Sequence, residues 1–331
     1  MTDSGIVKTD VLGPPYTSIT LALTPDAEGE VYATLVRRPA DGTAQGAVLH
    51  VHGFADYFFH TEYAEWWTAR GYDFYALDLR KYGRSIRAHQ TPNYVEDLEE
   101  YYEELDAAWA FVSSEQSRVV LSAHSTGGLL LPLWADARAI TATAMVLNSP
   151  WFDLRGSMLL RTVGTKVIDL VGAARPKRII PRDVSGLYGQ SLHRTHGGEW
   201  DYNLDWKPVE SWPLYAGWLR AIRRGHARLQ RGLSLPFPVL VLSSARTGAP
   251  TEMSDEVHGS DIVLDVKQIR RWAGVIGTHV TSIAVEGARH DVMLSLEPVR
   301  KRAYDELDRW LTAYVSPSPQ RSRARRRPPS R

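Results

Sequence analysis

Cysteine is absent from this 331-residue chain. Its absence excludes disulfides, thiolate metal sites and a cysteine nucleophile, and leaves the redox compartment undetermined. Also missing is any run of about 18 apolar residues, the length a membrane-spanning helix requires. The opening residues, Met1-Thr-Asp-Ser-Gly-Ile-Val-Lys-Thr-Asp10, lack the basic-then-apolar layout of a secretory signal, so the expected location is cytoplasmic. Acidic residues are missing from Ser316–Arg331, which carries six arginines. Without them, 33 of the 39 basic residues face 38 acidic ones, and the body sits near −5. A segment so poor in apolar residues has little to bury and is expected to be a disordered, solubilising tail. No nucleic-acid partner is expected, while transient contact with lipid stays open.

The rest is ordinary for a globular protein, with 44% hydrophobic and 23% charged residues. The length suits one large domain, or a domain with a substantial insertion. Thr17–Leu23 and Val31–Arg37 alternate apolar and polar residues, as strands near a sheet edge do. Ala47–Val51 and Asp73–Leu77 read as buried strands, with a helix near Glu62–Ala69 between them. Over Tyr94–Ser114 the apolar positions Val95, Leu98, Tyr102, Leu105, Trp109 and Val112 fall at helical spacing. Strands follow at Arg118–Ser122, Thr143–Asn148, Pro238–Ser243 and Val280–Glu286, with helices from about Thr126 and over Val266–Val275 and Leu296–Val315. Eight strands alternating with helices predict a mostly parallel sheet covered on both faces. The alternation breaks at 151–235, read as an inserted cap; residues 1–150 and 236–315 then form the core.

The chemistry concentrates in Ala123-His-Ser-Thr-Gly-Gly128, directly after a strand and before a helix. Small-x-Ser-x-Gly in that context is the pattern of a nucleophile elbow, a tight turn that presents a serine on strained backbone. Ser125 is the candidate nucleophile. A serine hydroxyl needs a base, and the base an orienting carboxylate, in the chain order Ser, acid, His. His290 follows the last strand and is the candidate base. The acid is displaced, because Ser243–Pro250 contains no carboxylate and the stretch 244–260 intervenes. Asp261 is the preferred candidate. Asp265, which could instead cap the next helix, is the first alternative, followed by Asp255 and Asp153. The oxyanion donors are assigned to the backbone amides of Phe54, after His52-Gly53, and of Thr126.

Together with the Asp78-Leu-Arg-Lys-Tyr-Gly-Arg-Ser85 segment, these motifs resemble the α/β-hydrolase fold. More narrowly they resemble the branch of monoacylglycerol lipases, lysophospholipases and serine aminopeptidases. The resemblance spans about residues 20–315, and it departs from the branch's pattern at Ala123 and Lys81, where glycines are usual.

In 151–235, Trp151, Phe152, Tyr188, Trp200, Tyr202, Trp206, Trp212, Tyr215 and Trp218 make the cap strongly aromatic. An aromatic lid over a serine favours an apolar acyl or aryl substrate. His52, Gly53, His124, Trp151 and Trp218 are the candidate substrate-binding residues. Tyr215, Leu219, Ile222, His226 and Leu229 mark a buried helix face, with Arg220, Arg223, Arg224, Arg228 and Arg231 elsewhere on it. His193 and His196 have metal-like spacing without a third ligand, so neither metal nor other cofactor is expected. The resulting expectation is a serine ester hydrolase, carboxylesterase-like or monoacylglycerol-lipase-like. The alternatives are an aminopeptidase or amidase using the same triad, with Glu199 to receive an α-amino group, and a non-catalytic ligand-binding member of the fold.

Overall fold

A computed structural model describes residues 5–156, 158–181 and 185–315; the arginine-rich tail lies outside the described residues. Its centre is a nine-stranded sheet: β1 Val7–Thr9, β2 Thr17–Ala22, β3 Tyr32–Arg38, β4 Gly46–Val51, β5 Tyr72–Asp78, β6 Val119–His124, β7 Ala144–Asn148, β8 Val239–Ser244 and β9 Val280–Val285. The spatial order is β1-β2-β3-β5-β4-β6-β7-β8-β9. The first three strands run antiparallel to their neighbours, and everything from β5 to β9 is parallel. The eight strands expected from the sequence are all present. The ninth is the short, exposed β1, whose three residues pair with Thr17–Ile19 but bury no alternating face that a pattern could reveal.

Central strands β5, β6, β7 and β8 are buried at every position. That requires cover on both faces. The helices are α1 Thr61–Thr68, α2 Tyr102–Glu115, α3 Gly127–Ala137, α4 Met158–Ala174, α5 Leu187–Leu192, α6 Ala216–Leu229, α7 Asp255–Gly259, α8 Val266–Ala273 and α9 Glu297–Tyr314, and α1, α2, α3, α6, α8 and α9 supply that cover. One core joins β4, β6 and β7 to α2, α3, α6 and α8. The opposite face packs on α1 and α9 around Trp67, Tyr304 and Trp310. None of the helices among the described residues is long and apolar enough to cross a membrane.

The helix expected from Tyr94 starts later. Asn93 adopts a left-handed φ of 61° and Asp97 is extended, its carboxylate capping the Glu99 amide at 3.0 Å. Glu100 reaches back to the Asp97 amide, so a capping box starts a 3₁₀ turn at Leu98 that leads into α2. Val95 is buried all the same, as the apolar pattern predicts, and so is Tyr94.

Between β7 and β8 the chain runs through α4, α5 and α6, with α4 against α6. The α6 arginines are engaged in ion pairs: Arg220 and Arg224 with Asp169, Arg223 with Asp153, and Arg228 with Asp136. Aromatics of this segment meet the loop after β4, where Tyr202 packs on Phe59 and Trp206 stands edge-on to Tyr57. The Asn203 amide donates to the Tyr57 hydroxyl at 2.7 Å.

Candidate active site

Strand β6 ends at His124, and the next residue, Ser125, has φ 50°. A left-handed φ on a side-chain-bearing residue costs on the order of 1 kcal/mol, so the surroundings must enforce it. The Ser125 amide donates to the Asn148 carbonyl at the end of β7, and its own carbonyl accepts from Gly128 and Trp151. The small residues after it are required by contact. A Cβ on Gly127 would collide with the His52 carbonyl and lie 2.7 Å from that of Val51; one on Gly128 would lie 2.6 Å from Pro150. Ala123 is fully buried within β6 with φ on the ordinary side, so a methyl group fits there.

The Ser125 Oγ lies 3.0 Å from Nε2 of His290, and the His290 Nδ1 lies 2.9 Å from Oδ2 of Asp261. All three are buried, Asp261 completely. The other Asp261 oxygen accepts the amides of Val263 and Leu264 at 2.9 and 2.7 Å, which fixes the carboxylate against rotation. A hydroxyl bonded to an imidazole that is bonded to a held carboxylate can lose its proton as it attacks a carbonyl carbon.

The alternative acids are occupied elsewhere. Asp265 caps α8 through the Lys267 amide at 3.0 Å, Asp153 pairs with Arg223, and Asp255 starts α7 in an exposed position.

Gly53 packs so closely that a Cβ there would lie 3.0 Å from Ser125 Cβ and 3.1 Å from His124 Nδ1. That approach carries Phe54 to the serine, and Phe54 and Thr126 both line the adjoining cavity. The cavity has a volume of about 430 Å³ and opens over Ser125 and His290. Phe54, Trp218 and Trp151 form one wall, with ring centroids 4.3 and 5.9 Å apart along the series. Leu187, Tyr188, Leu214 and Leu219 come from the β7–β8 segment, and Ile262, Val263 and Leu264 from beside Asp261.

Of the residues expected to bind substrate, Trp151, Trp218 and His124 line this cavity, whereas His52 and Gly53 do not. His52 is buried behind the wall, donating from Nδ1 to the Gly53 carbonyl at 2.8 Å and accepting the Leu79 amide at 3.1 Å. Burial pushes its pKa down, consistent with a neutral brace for the loop. Glu199 lies outside the cavity lining and pairs with Arg300. His193 bonds Thr195 and the Tyr202 carbonyl, and no group of side chains among the described residues could hold a metal ion.

Four further polar residues escape sequence reasoning: Asp56, Asn148, Lys207 and Asp291. Asp56 and Asp291 stand beside motifs already singled out, two residues after Phe54 and one after His290. Lys207 comes from an aromatic segment with no motif, yet its Nζ bonds Asp56 Oδ1 at 2.8 Å in the cavity wall.

A model of the family described as serine aminopeptidase, S33, matches residues 42–247, well over half of the chain. The chain belongs to this family of α/β-hydrolases. The matched segment contains Ser125 but neither Asp261 nor His290, so those two rest on the geometry above. Among solved structures, a soluble variant of monoglyceride lipase from Saccharomyces cerevisiae superposes with a TM-score of 0.65 at 15% identity, covering 89% of this chain and 95% of its own. Monoacylglycerol lipase from Paleococcus ferrophilus gives 0.60 at 20% identity over 85% and 99%. A thermostable carboxyl esterase from Bacillus coagulans gives 0.63 at 14% identity over 90% and 99%. At such identities the likeness concerns the fold. No curated protein sequence matches the chain.

Proposed function

We propose that this family member is a serine hydrolase that cleaves carboxylic esters of apolar acyl groups through an acyl-enzyme. The observation that carries the reading is the continuous Ser125–His290–Asp261 hydrogen-bond chain, opening onto an aromatic cavity of about 430 Å³. Ser125 attacks the ester carbonyl carbon while His290 takes its proton. The Phe54 and Thr126 amides hold the developing oxyanion. His290 then returns the proton to the leaving alcohol, and water repeats the sequence on the acyl-enzyme to release the acid. Asp261 orients the imidazole throughout. The segment 151–235 serves as a cap whose aromatic side chains receive the acyl chain.

The structural neighbours named as lipases and esterases support an ester substrate. The aminopeptidase alternative needs an unpaired carboxylate facing the serine. Glu199 is engaged by Arg300 away from the cavity, and Asp56, which does line it, is engaged by Lys207. That favours the ester reading over the amide one.

Labelling with a fluorophosphonate tests the nucleophile: wild type reacts and the folded Ser125→Ala variant does not. A series of p-nitrophenyl acyl esters beside aminoacyl-naphthylamides tests the substrate class. Esters of medium or long acyl chains are the expected preference; faster turnover of the amides would sink the ester reading.

A further inference from the structure

The residue before the nucleophile and the residue after the base face each other. His124 precedes Ser125 and Asp291 follows His290, and His124 Nδ1 lies 3.7 Å from Asp291 Oδ2. This contact runs beside the Ser125–His290 hydrogen bond, with the two histidine rings 4.9 Å apart. A third loop joins them: Asp56 Oδ2, from the Phe54 loop, lies 3.4 Å from the same His124 nitrogen. The remaining carboxylate oxygens are taken. Asp291 Oδ1 accepts Asn148 Nδ2 at 2.6 Å and the Met293 amide at 2.9 Å, and Asp56 Oδ1 accepts Lys207 Nζ.

The charge balance of this cluster is the decisive point. His124, Asp56, Asp291 and Lys207 are each more than nine-tenths buried. Two buried carboxylates with one lysine leave an excess negative charge, which is costly away from water. His50 and His60, which line a small chamber of about 20 Å³ with His124, do not supply the missing charge. Burial pushes them down to about 3 and about 4. Tyr188 lies over His290, and burial pushes its hydroxyl well above the usual range, so it adds no charge.

We infer that His124 is a cationic positioning residue, tying the nucleophile turn to the base loop through Asp291 and to the oxyanion loop through Asp56. The inference rests on the reading of Ser125 and His290 as nucleophile and base. Burial by itself opposes the charge, but the carboxylates of Asp291 and Asp56 outweigh it and hold the His124 pKa above the ordinary value. The sign follows: a raised pKa keeps the cation at neutral pH, and its contribution is lost as pH rises through that pKa. His124 Nε2 is buried with no hydrogen-bond partner among the described residues, and His124 lines a chamber with room for about one water. A positive charge this close to the turn also favours the negative tetrahedral intermediate.

The test is kcat and KM for p-nitrophenyl butyrate from about pH 6 to 10 in wild type, His124→Gln and Asp291→Asn, with fluorophosphonate labelling of each. Wild type shows an alkaline fall in kcat/KM with an apparent pKa above about 6.5. Asp291→Asn removes one counter-charge and moves that fall down by roughly one pH unit. His124→Gln abolishes it, with kcat roughly tenfold lower at neutral pH and KM little changed. A merely structural role would lower activity without moving the profile, so an unmoved alkaline limb in Asp291→Asn overturns the inference even if His124→Gln fails to fold. Absence of labelling in wild type would instead defeat the nucleophile reading. The charge is then decided by histidine ¹H–¹⁵N spectra, in which one imidazole must titrate above about 6.5 and shift down in Asp291→Asn.

Discussion

Thr247 and Asp261 form an isolated parallel bridge: the Asp261 amide donates to the Arg246 carbonyl at 3.0 Å, and its carbonyl accepts the Gly248 amide at 2.9 Å. The bridge closes the intervening excursion at its neck. Asp261 therefore emerges beside the end of β8, where an acid following that strand directly would stand, although α7 separates the two in sequence. Asp261→Asn is expected to lower kcat by about 10⁴, since the amide leaves the imidazole in the wrong tautomer. Asp265→Asn removes only part of the α8 cap, costing about 1 kcal/mol or less and leaving kcat unchanged. Steady-state kinetics and thermal unfolding of the two variants separate the roles; a large kcat loss in Asp265→Asn would reverse the assignment.

The nucleophile turn should be intolerant on one side and tolerant on the other. Gly127→Ala and Gly128→Ala press a methyl group onto the backbone of Val51 and His52 or onto Pro150. Each is expected to destabilise by about 3 kcal/mol, at the upper end of overpacking costs. Ala123→Gly creates only a small gap and a more flexible strand, about 1 kcal/mol. Urea denaturation of the three variants checks the order, and an Ala123→Gly variant less stable than Gly128→Ala would contradict it.

Lys81 adopts a left-handed φ of 64°, which accounts physically for the glycine usual at this place in the motif it resembles. Its ammonium is almost fully buried and bonds Asp26 at 2.5 Å and Glu28 at 2.7 Å. Lys81→Gly relieves about 1 kcal/mol of backbone strain but strips both carboxylates of this cation. Losing one partner of a buried pair costs about 3 kcal/mol. Lys177 still reaches Glu28, so a net destabilisation of about 2 kcal/mol is expected, with activity retained. Adding Asp26→Asn and Glu28→Gln should recover part of the loss in thermal unfolding; no recovery would show that the ion pairs do not offset the strain.

Periodicity and motif spacing carried most of this architecture. Strands β4 to β8 are buried at nearly every position, and Ser125 and His290 sit at turns whose position in the chain order is itself informative. What stayed hidden depends on contacts between distant segments. The sequence already favours Asp261 among the acids, but what brings it beside the end of β8 is a backbone bridge that no local pattern encodes. Lys207 meets Asp56 only because aromatic pairs such as Tyr202–Phe59 seat the 200–212 loop against the loop after β4. His52 belongs to a recognisable motif, but its role as a brace behind the cavity follows from the Leu79 amide, which belongs to the loop after β5.

Buried neutral histidines predict acid lability. His50 sits against Ser122 at 3.0 Å and is pushed down to about 3 by burial, as His60 is to about 4. His226 faces the Trp151 carbonyl at 2.8 Å and is likewise pushed down to about 3 by burial, with Arg223 adding to the effect. In the unfolded chain each returns to about 6.5, so below that pH the unfolded state binds more protons than the native one. Stability therefore falls as pH drops from about 6.5 toward 4, by about 2 kcal/mol per such histidine at about pH 5 if each follows its own linkage. Asp56 and Asp291 add to the loss at lower pH. Although burial alone would raise them, Lys207 and His124 hold Asp56 down, and His124 with the Asn148 hydrogen bond holds Asp291 down, so their contributions vanish as pH falls through the carboxylate range. Urea midpoints at pH 7.5, 6, 5 and 4 should decrease monotonically, and His226→Gln should flatten the upper part of that curve. Constant midpoints across this range would mean that these histidines are solvated and titrate normally in the native state.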